Sequence, residues 1–446
     1  MPDTILDLAA DLAAGRTTSR ALTEQALARI EDPSGEGQRA FLHIDRAAAL
    51  AMADASDRLR AHGVTPSLLA GLPVSVKDLF DVAGQVTTAG SVVLKDAAPA
   101  TADAPVVARV RAAGAVPVGR TNMTEFAYSG IGANPHYGTP GNPRDRARVP
   151  GGSSSGAAVS VADGMAVAAL GTDTGGSVRI PSAFCGITGF KPTQARVPLD
   201  GATPLSFSLD SIGPLAASVA CCAILDAVLA GAPIRLPDEL PLAGLRFAVP
   251  RQYVLDDLDD AVAAAFDATL SRLSAAGAAI TDIPFAELRE IPQISAAGGF
   301  PAAEAYAWHR DLLDRAGDRY DPRVGGRIRR GAEIGAADYI DLVNARADLI
   351  ARAHKLTAPF DAVLMPTVAI LAPRMADLEA DDDYFRLNML SLRNCTVGNF
   401  LDRCAASLPC QAPGDLPVGL MIMGEHGADH RVLSIAAAVE TALTNQ

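Results

Sequence analysis

Residues 150–193 read PGGSSSGAAVSVADGMAVAALGTDTGGSVRIPSAFCGITGFKPT and carry more information than the rest of the chain. They contain two Gly-Gly-Ser turns, one ending at Ser153 and the other at Ser177. An Ala- and Val-rich segment with helical periodicity separates the turns. Two serines on glycine-rich backbone indicate a nucleophilic hydroxyl and a second hydroxyl that assists it, rather than a simple binding loop.

An apolar segment upstream ends in a lysine. Residues 72–77 read LPVSVK, and a strand here would carry the side chain of Lys77 inward. The segment continues as PVSVKD over residues 73–78.

These residues closely resemble the fingerprint of the amidase signature family. That fingerprint combines a GGSS-type turn, a helix and a GTDTGGS…KPT segment with a distant lysine in a P-V-x-V-K-D segment. Residues 119–126, 208–214 and 416–420 are also similar to family segments and occur in the family's order. The resemblance therefore covers most of the chain.

The resemblance implies a Ser-Ser-Lys relay. Ser177 would attack the acyl carbon, and its proton would pass through Ser153 to neutral Lys77. The relay would then protonate the leaving amine, and water would hydrolyse the acyl-enzyme by the same path. The resemblance also implies a cis peptide bond between Gly152 and Ser153.

Lysine replaces the usual base in this relay. Histidine is the common partner of a nucleophilic serine, but the chain has only seven histidines. Of these, only His136 lies in a family-like segment, at a position where the family varies. Burial can lower the pKa of a lysine because desolvation disfavours the ammonium form. The resemblance identifies Lys77 as that base.

The second turn predicts an oxyanion hole. Its donors would be three successive backbone N–H groups, those of Thr174, Gly175 and Gly176. Asp173 is expected to hold the turn by accepting hydrogen bonds from local N–H groups. Ser154 is expected to be a second hydrogen-bond partner of Lys77.

Three further residues of the stretch have structural interpretations. Arg179 is expected to form an ion pair rather than to contact substrate, Cys185 to be a packed thiol, and Lys191 to sit in a structural Lys-Pro-Thr turn. Met123 and Tyr128 are candidate walls of the substrate pocket, together with the 306–309 cluster. Core packing is the alternative for each of them.

Composition limits the class of partner. The chain has 446 residues, 49% of them hydrophobic, a net charge of −13, a pI of about 5.0 and a mean hydropathy of +0.19. This charge argues against a nucleic-acid partner, which needs clustered Lys and Arg. The six cysteines form no C-x-x-C pair and have no histidine at metal-ligand spacing, so we expect free thiols and no metal or organic cofactor.

The chain shows no sequence signal for a membrane. Its longest apolar run, residues 215–234, is interrupted by Asp226 and predicts a buried helix. The N-terminal MPDTILDLAADLAAG lacks a basic region, so we expect no secretory signal and a cytoplasmic protein.

Alternation of helical and strand patterns predicts an α/β fold. Helices are predicted over 5–14, 19–30, 104–113 and 259–275, and strands over 71–82, 115–119, 245–250, 278–284 and 361–366. The resemblance implies one α/β/α domain over residues 1–446, with a large mixed twisted sheet between helical layers. Residues 287–356 are interpreted as a helical elaboration near the substrate entrance, with ordinary covering helices as the alternative.

Two other motif interpretations fail. Residues 152–156, GSSSG, satisfy the nucleophile-elbow pattern with Ser154 at its centre, but the preceding residues 142–150 are polar and proline-flanked instead of forming a strand. A phosphate loop is excluded because its G-x-x-x-x-G-K-[ST] pattern is absent.

The sequence predicts a reaction class but leaves the substrate and the biological role open. The first expectation is a stand-alone, urethanase-like hydrolase of small-molecule amides, aryl amides or carbamates. The second expectation is the A subunit of a tRNA-dependent amidotransferase, which hydrolyses glutamine within a complex. A third possibility, a non-catalytic role, is disfavoured because Lys77, Ser153 and Ser177 are all present. A homodimer is compatible with the sequence. Departures from the family pattern, such as GGSSSGAA at residues 151–158, weaken any assignment of substrate.

Overall fold

Eleven strands form one mixed sheet in the computed structural model, which describes residues 3–444. The sheet order is β1-β3-β2-β4-β6-β5-β10-β11-β9-β7-β8. The strands are β1 Phe41–His43, β2 Pro73–Lys77, β3 Val116–Thr121, β4 Ala168–Thr172, β5 Thr188–Lys191, β6 Ile212–Ala216, β7 Arg246–Pro250, β8 Ala279–Ile283, β9 Ala362–Pro366, β10 Ala405–Pro409 and β11 Gly419–Met423. Residues 1–2 and 445–446, which the predicted domain and N-terminal segment include, lie outside the described residues.

Fifteen α-helices accompany the sheet within residues 3–444. They are α1 Ile5–Ala13, α2 Ser19–Glu31, α3 Gly37–Ala40, α4 Arg46–Ala61, α5 Pro105–Ala112, α6 Ser155–Ala162, α7 Arg179–Cys185, α8 Val219–Ala230, α9 Asp260–Ala275, α10 Glu290–Ile294, α11 Gly299–Ala316, α12 Pro322–Arg329, α13 Ala336–Thr357, α14 Asp381–Phe400 and α15 Asp429–Thr444. Short 3₁₀ helices lie at Glu125–Ala127, Gln194–Arg196, Ala286–Arg289, Arg330–Glu333 and Met375–Leu378.

Helices cover both faces of the sheet. The apolar side chains of α5, α8, α9 and α15 share one core cluster with one face of the strands. Those of α6 and α7 pack on the opposite face, where α2, α4 and α14 extend the layer. The predicted single α/β domain with a large mixed sheet is confirmed.

The alternation of side chains along β2 places the Lys77 side chain on the face of the sheet that is covered by α6. Val74 and Val76 of β2 belong to the core cluster on the α5 and α8 side. Ser75 faces the other way, because its Oγ lies 2.8 Å from Ser160 Oγ of α6. Side chains two residues apart on a strand share a face, so Lys77 points toward the start of α6.

Most predicted elements differ from the observed ones by only one or two residues. The strand predicted over 71–82 ends at Lys77, and two predicted helices are shorter than the apolar runs that suggested them. The run 215–234 begins in β6 and becomes helical only at Val219, where Ser218 caps α8 by accepting from Cys221 N. The segment between the two serine turns is helical only as far as Ala162 and then forms β4. Both runs are mostly apolar because most of their residues are buried, and periodicity cannot separate a buried strand from a buried helix.

The close packing of α6 makes a testable prediction. An added Cβ at Gly156 would lie 2.2 Å from the Ala40 carbonyl oxygen and 2.8 Å from Asn122 N. Both contacts are with backbone, so Gly156→Ala should destabilise the fold by about 1–3 kcal/mol and lower Tm in a thermal melt. Gly326→Ala is the matched helical control, because nothing lies within 4 Å of its added Cβ. It should leave Tm unchanged or raise it, and an equal fall in both variants would contradict the packing argument.

Candidate active site

Lys77 lies at the base of the candidate site and is fully buried. Its Nζ is 2.7 Å from Ser153 Oγ and 2.7 Å from Thr172 Oγ1. Thr172 is the last residue of β4, which pairs with β2 in parallel. The Gly152–Ser153 peptide bond is cis. Two neighbouring strand ends and one turn therefore converge on a single amine.

Burial changes the acid–base behaviour of Lys77. Desolvation lowers the pKa of Lys77 to about 7, against the opposing effect of the Asp210 and Asp173 carboxylates. A substantial fraction of the amine is therefore neutral at neutral pH and can accept a proton. Lys191 is also buried, and burial lowers its pKa to about 8, but among the described residues its Nζ hydrogen-bonds only to the Pro192 carbonyl oxygen.

Ser177 sits at the boundary between the buried relay and a cavity. Ser177 is 3% exposed and lines the cavity wall, whereas Ser153 is fully buried. Ser154 N donates to Ser177 O over 3.3 Å, which ties the two serine turns together. No residue between 3 and 444 hydrogen-bonds the Ser177 hydroxyl, so this group is free to turn toward a bound acyl carbon or toward Ser153.

The second turn offers three unengaged N–H groups. Within residues 3–444, the backbone N–H groups of Thr174, Gly175 and Ser177 donate no hydrogen bond to the protein. Gly176 N instead donates to Asp173 Oδ1 over 2.9 Å. The sequence prediction is therefore corrected at one position: the N–H of Gly176 holds the turn, and that of Ser177 is the available donor.

A buried ion pair fixes this turn. Asp173 and Arg179 are both fully buried and lie 2.8 Å apart, as expected for a structural role of the arginine. Asn399 bridges them, accepting from Arg179 Nη2 at 2.7 Å and donating to Asp173 Oδ1 at 2.8 Å. Burial alone raises the pKa of Asp173, but the Arg179 guanidinium holds it far below its ordinary value, with smaller contributions from Lys191 and Asn399. The carboxylate therefore remains charged and keeps its N–H partners.

Two predicted contacts were wrong. Ser154 Oγ donates to the Thr172 carbonyl oxygen at 3.3 Å, so Thr172, not Ser154, is the second partner of Lys77. Met123 is fully buried in an apolar cluster with Phe126, apart from the cavity wall. A methionine beside a motif is more often core than pocket, and the alternative considered from the sequence holds here.

The cavity in front of Ser177 has a volume of about 640 Å³. Tyr128 lines it, together with residues that the sequence did not single out. Much of the wall comes from residues 292–330, within the predicted helical elaboration. The 306–309 cluster lies elsewhere: Trp308 faces a smaller cavity, and His309 is buried and hydrogen-bonded to Tyr320.

Asp210 links the second turn to the segment 208–214. Its Oδ1 accepts from Thr174 Oγ1, while Oδ2 accepts from the N–H groups of Leu205 and Ser206. Burial raises the pKa of Asp210 to about 6, and hydrogen bonds from Thr174, Leu205 and Ser206 oppose this shift. The family-like segment around Asp210 was the sequence signal for this contact, although its partner could not be read from the chain alone.

A hydroxyl pair beside a buried amine, together with N–H groups without partners at a cavity, forms the candidate active site. The Amidase family model matches residues 21–433, so the chain belongs to this family. Members of the family are hydrolases that act on carbon–nitrogen bonds, and this protein is one of them.

Relatives of two kinds match nearly the whole chain. The 2-amino-5-chloromuconic acid deaminase of Comamonas testosteroni is 38% identical over 408 residues, which cover 90% of this chain and 88% of the relative. The A subunit of glutamyl-tRNA(Gln) amidotransferase from Chromohalobacter salexigens is 36% identical over 469 residues, covering 97% and 95%. A crystal structure of an amidase is 34% identical and superposes with a TM-score of 0.90, covering 99% of this chain and 100% of the other.

No helix that the structure describes between residues 3 and 444 has the length and apolar character needed to cross a membrane. In the same part of the chain, no group of three or more His, Cys, Asp and Glu side chains is arranged to hold a metal ion. The expectations of a cytoplasmic protein and of catalysis without a cofactor stay predictions.

Loss of the buried carboxylate should be costly. Asp173→Ala leaves Arg179 charged and unpaired in the core, so we expect the free energy of unfolding to fall by about 3–5 kcal/mol. Chemical denaturation would measure this loss. Asp11→Ala removes an exposed ion pair with Arg16 and should change stability little. Equal stability of the Asp173 variant and the wild type would show that the buried pair does not hold the turn.

Activity should depend on the protonation of Lys77. If the neutral Lys77 amine is the base, kcat/KM should rise with pH through about 7 and then level off, because burial lowers the Lys77 pKa to about 7. Below the midpoint the rate should fall roughly tenfold per pH unit, as expected for one essential base. Rate measurements between about pH 5 and 9 on a substrate that does not itself titrate would show the curve, and a flat profile would contradict the assignment.

Proposed function

We propose that this protein hydrolyses a small-molecule amide through a Ser177–Ser153–Lys77 relay and an acyl-enzyme on Ser177. The proposal rests above all on the contact of a fully buried Lys77 amine with Ser153 Oγ at 2.7 Å. Burial of an amine beside a serine has a clear chemical use, because it turns an ordinary ammonium into a base at neutral pH.

Acylation follows from this arrangement. Ser177 Oγ attacks the carbonyl carbon of the substrate and passes its proton through Ser153 Oγ to Lys77 Nζ. The tetrahedral oxyanion accepts hydrogen bonds from N–H groups of Thr174, Gly175 and Ser177, which have no other acceptor within the described part of the chain. Lys77 then returns the proton through Ser153 to the leaving nitrogen, and the carbon–nitrogen bond breaks.

Deacylation uses the same groups. A water molecule takes the place of the departed amine and attacks the acyl carbon. As it attacks, one of its protons passes through Ser153 Oγ to Lys77 Nζ. Collapse of the second tetrahedral intermediate returns the proton to Ser177 Oγ and releases the carboxylic acid. Thr172 provides Lys77 Nζ with a second partner outside the relay and limits its motion between these steps.

A stand-alone hydrolase is favoured over the amidotransferase role. The full-length likeness to a solved amidase supports this choice. The cavity supports it too: among the described residues that line it, none is Asp or Glu, which leaves no carboxylate to receive the α-ammonium of glutamine. The deaminase relative acts, by its name, on a small chlorinated amino acid derivative of muconic acid. This supports carbon–nitrogen cleavage on small molecules, with aryl amides and carbamates (the urethanase-like expectation) as further candidates.

The glutamine-hydrolysing role within an amidotransferase is the second candidate. The relative from Chromohalobacter salexigens is nearly as similar as the deaminase and is covered over more of its length. In that role, the same relay would release ammonia from glutamine and would need partner proteins.

Ammonia or amine release by purified protein tests the proposal. The panel would contain short primary amides, aryl anilides, aryl carbamates and glutamine. Ser177→Ala should reduce turnover by roughly a thousandfold or more, within the range seen when a nucleophile is removed, while Tm stays within a few degrees of wild type. Lys77→Ala should be nearly as severe.

Intact-protein mass spectrometry on a slowly hydrolysed aryl carbamate would look for the covalent intermediate. The expected result is one added acyl group on the wild type and none on Ser177→Ala. Full turnover by Ser177→Ala would overturn the mechanism. Turnover of glutamine alone, and only after partner proteins are added, would favour the amidotransferase role.

A further inference from the structure

Glu304 of α11 is a buried carboxylate whose hydrogen-bond partners come from two other parts of the chain. The residue is 6% exposed. Its Oε2 accepts from Ser206 Oγ at 2.6 Å and from Ser208 N at 3.0 Å, and its Oε1 accepts from Ser208 Oγ at 2.5 Å. Tyr339 of α13 donates to the same Oε1 at 2.6 Å. Hydrogen bonds to an ionised carboxylate are stronger than neutral ones, so Glu304 holds residues 206–208 firmly against α11.

The segment that Glu304 holds ends at Asp210, which contacts the second serine turn. Asp210 Oδ1 accepts from Thr174 Oγ1 at 2.5 Å, and its Oδ2 accepts from Ser206 N at 3.1 Å. Ser206 therefore contacts both carboxylates, Glu304 through its hydroxyl and Asp210 through its N–H. The two charges also act on each other: burial raises the pKa of Asp210, and the Glu304 carboxylate adds to that rise.

Thr174 connects this segment to the reacting atoms. It lines the cavity, and its backbone N–H, which donates no hydrogen bond to the protein within residues 3–444, belongs to the proposed oxyanion hole. The preceding residue is joined to the same segment, because Asp173 N donates to Ser211 O at 2.8 Å and Ser211 N donates to Asp173 O at 3.1 Å. The direction of the Thr174 N–H is therefore set by residues 205–211, and an oxyanion donor is effective only when its direction is fixed in advance.

The same segment also contributes to the cavity wall. Leu205 and Leu209 line the cavity. Glu304 therefore has two candidate roles, support of this wall and positioning of the turn. A wall that binds substrate equally in the ground and transition states affects KM, whereas an oxyanion donor affects kcat, so kinetics separate the two roles.

We propose that Glu304 is a positioning residue for the oxyanion hole: from α11 it holds residues 206–208, and Asp210 transmits this hold to Thr174. The inference rests on the proposed amide hydrolysis at Ser177. It gives the helical elaboration of residues 287–356 a part in catalysis in addition to its part in the cavity wall. Glu304 acts only through hydrogen bonds to the protein and does not touch the substrate.

Glu304→Gln keeps the shape of the side chain and removes its charge. On any amide or carbamate that the wild type hydrolyses, kcat should fall about ten- to a hundredfold and KM should change about twofold or less. The loss should be smaller than that of a whole oxyanion donor, because Arg346 Nη1 still donates to Ser208 O at 3.3 Å. Ser208→Ala removes one hydroxyl partner of Glu304 and is the milder second variant should Glu304→Gln not fold; it should show the same split on a smaller scale.

Two control variants assign the effect to residues 206–208. Asp314→Asn makes the same carboxylate-to-amide change at an exposed position of α11 and should leave both constants unchanged. Tyr339→Phe removes the α13 partner of Glu304 and leaves its contacts with residues 206–208, so kcat should fall much less than in Glu304→Gln.

A double-mutant cycle tests whether the effect passes through Thr174. Thr174→Val keeps the size of the side chain and removes the hydroxyl that donates to Asp210. In this background the link is already broken, so Glu304→Gln should lower kcat much less than it does in the wild type. Independent, additive losses would contradict the proposed route.

Hydrogen exchange measured by mass spectrometry tests the link without any substrate. Gly176 N donates to Asp173 Oδ1 and Asp173 N to Ser211 O, so exchange at these two groups reports on the order of the turn. Peptides that span residues 173–179 and 205–211 should exchange faster in Glu304→Gln than in the wild type or in Asp314→Asn.

The outcomes separate this inference from the proposed reaction. A raised KM with unchanged kcat would make Glu304 a support of the wall and overturn the inference, as would unchanged exchange over residues 173–179. In both cases hydrolysis by the wild type, lost in Ser177→Ala, would leave the reaction standing. A wild type that hydrolyses no member of the panel would count against the reaction, and the exchange comparison would still decide whether Glu304 holds the turn.

Discussion

The burial of Lys77, which has no ion-pair partner among residues 3–444, is the constraint on which the candidate site depends. Burying an ammonium without a partner charge costs free energy. This cost is smaller for the neutral amine, and burial lowers the Lys77 pKa to about 7. The carboxylates of Asp210 and Asp173 favour the ammonium form of Lys77 and so oppose this fall in pKa. Asp173 is instead neutralised by Arg179, and burial raises the pKa of Asp210 to about 6, which reduces its negative charge. The site therefore keeps carboxylates for geometry while leaving the amine able to act as a base.

The same placement of charge explains how the two serine turns are held. The first turn is attached to Lys77 through Ser153 and to the second turn through the Ser154 N–H. The second is held by a carboxylate that accepts from Gly176 N and is itself fixed by a buried arginine. Neutral contacts thus surround the hydroxyls and the amine of the proposed relay, and the strong ion pair lies behind them. A catalytic group placed this way needs no rearrangement of charged partners when a substrate binds.

Much of this arrangement could be predicted from the sequence, and the failures have physical causes. The mixed α/β sheet was predicted correctly. The glycine-rich turns and the strand-terminal lysine have local signatures, and the structure places Lys77 beside Ser153, while the relay itself stays a prediction. Thr172 was missed because its contact with Lys77 depends on the parallel pairing of β4 with β2, which no local pattern encodes. Gly176 was misassigned because its N–H direction is set by the Asp173 side chain. The cavity-lining residues between 292 and 330 were not singled out because their proximity to Ser177 is created by the tertiary packing of a region without motifs.

A direct titration of Lys77 would test the central claim. The chain has only four lysines, at positions 77, 95, 191 and 355, so protein labelled with ¹³C at lysine Cε should give few NMR signals, and Lys77→Ala would assign one of them. The expected result is a Lys77 midpoint near 7, well below the ordinary lysine value of about 10.4. A midpoint above about 10 would mean that Lys77 stays an ammonium at neutral pH, and the proposed base would have to be abandoned.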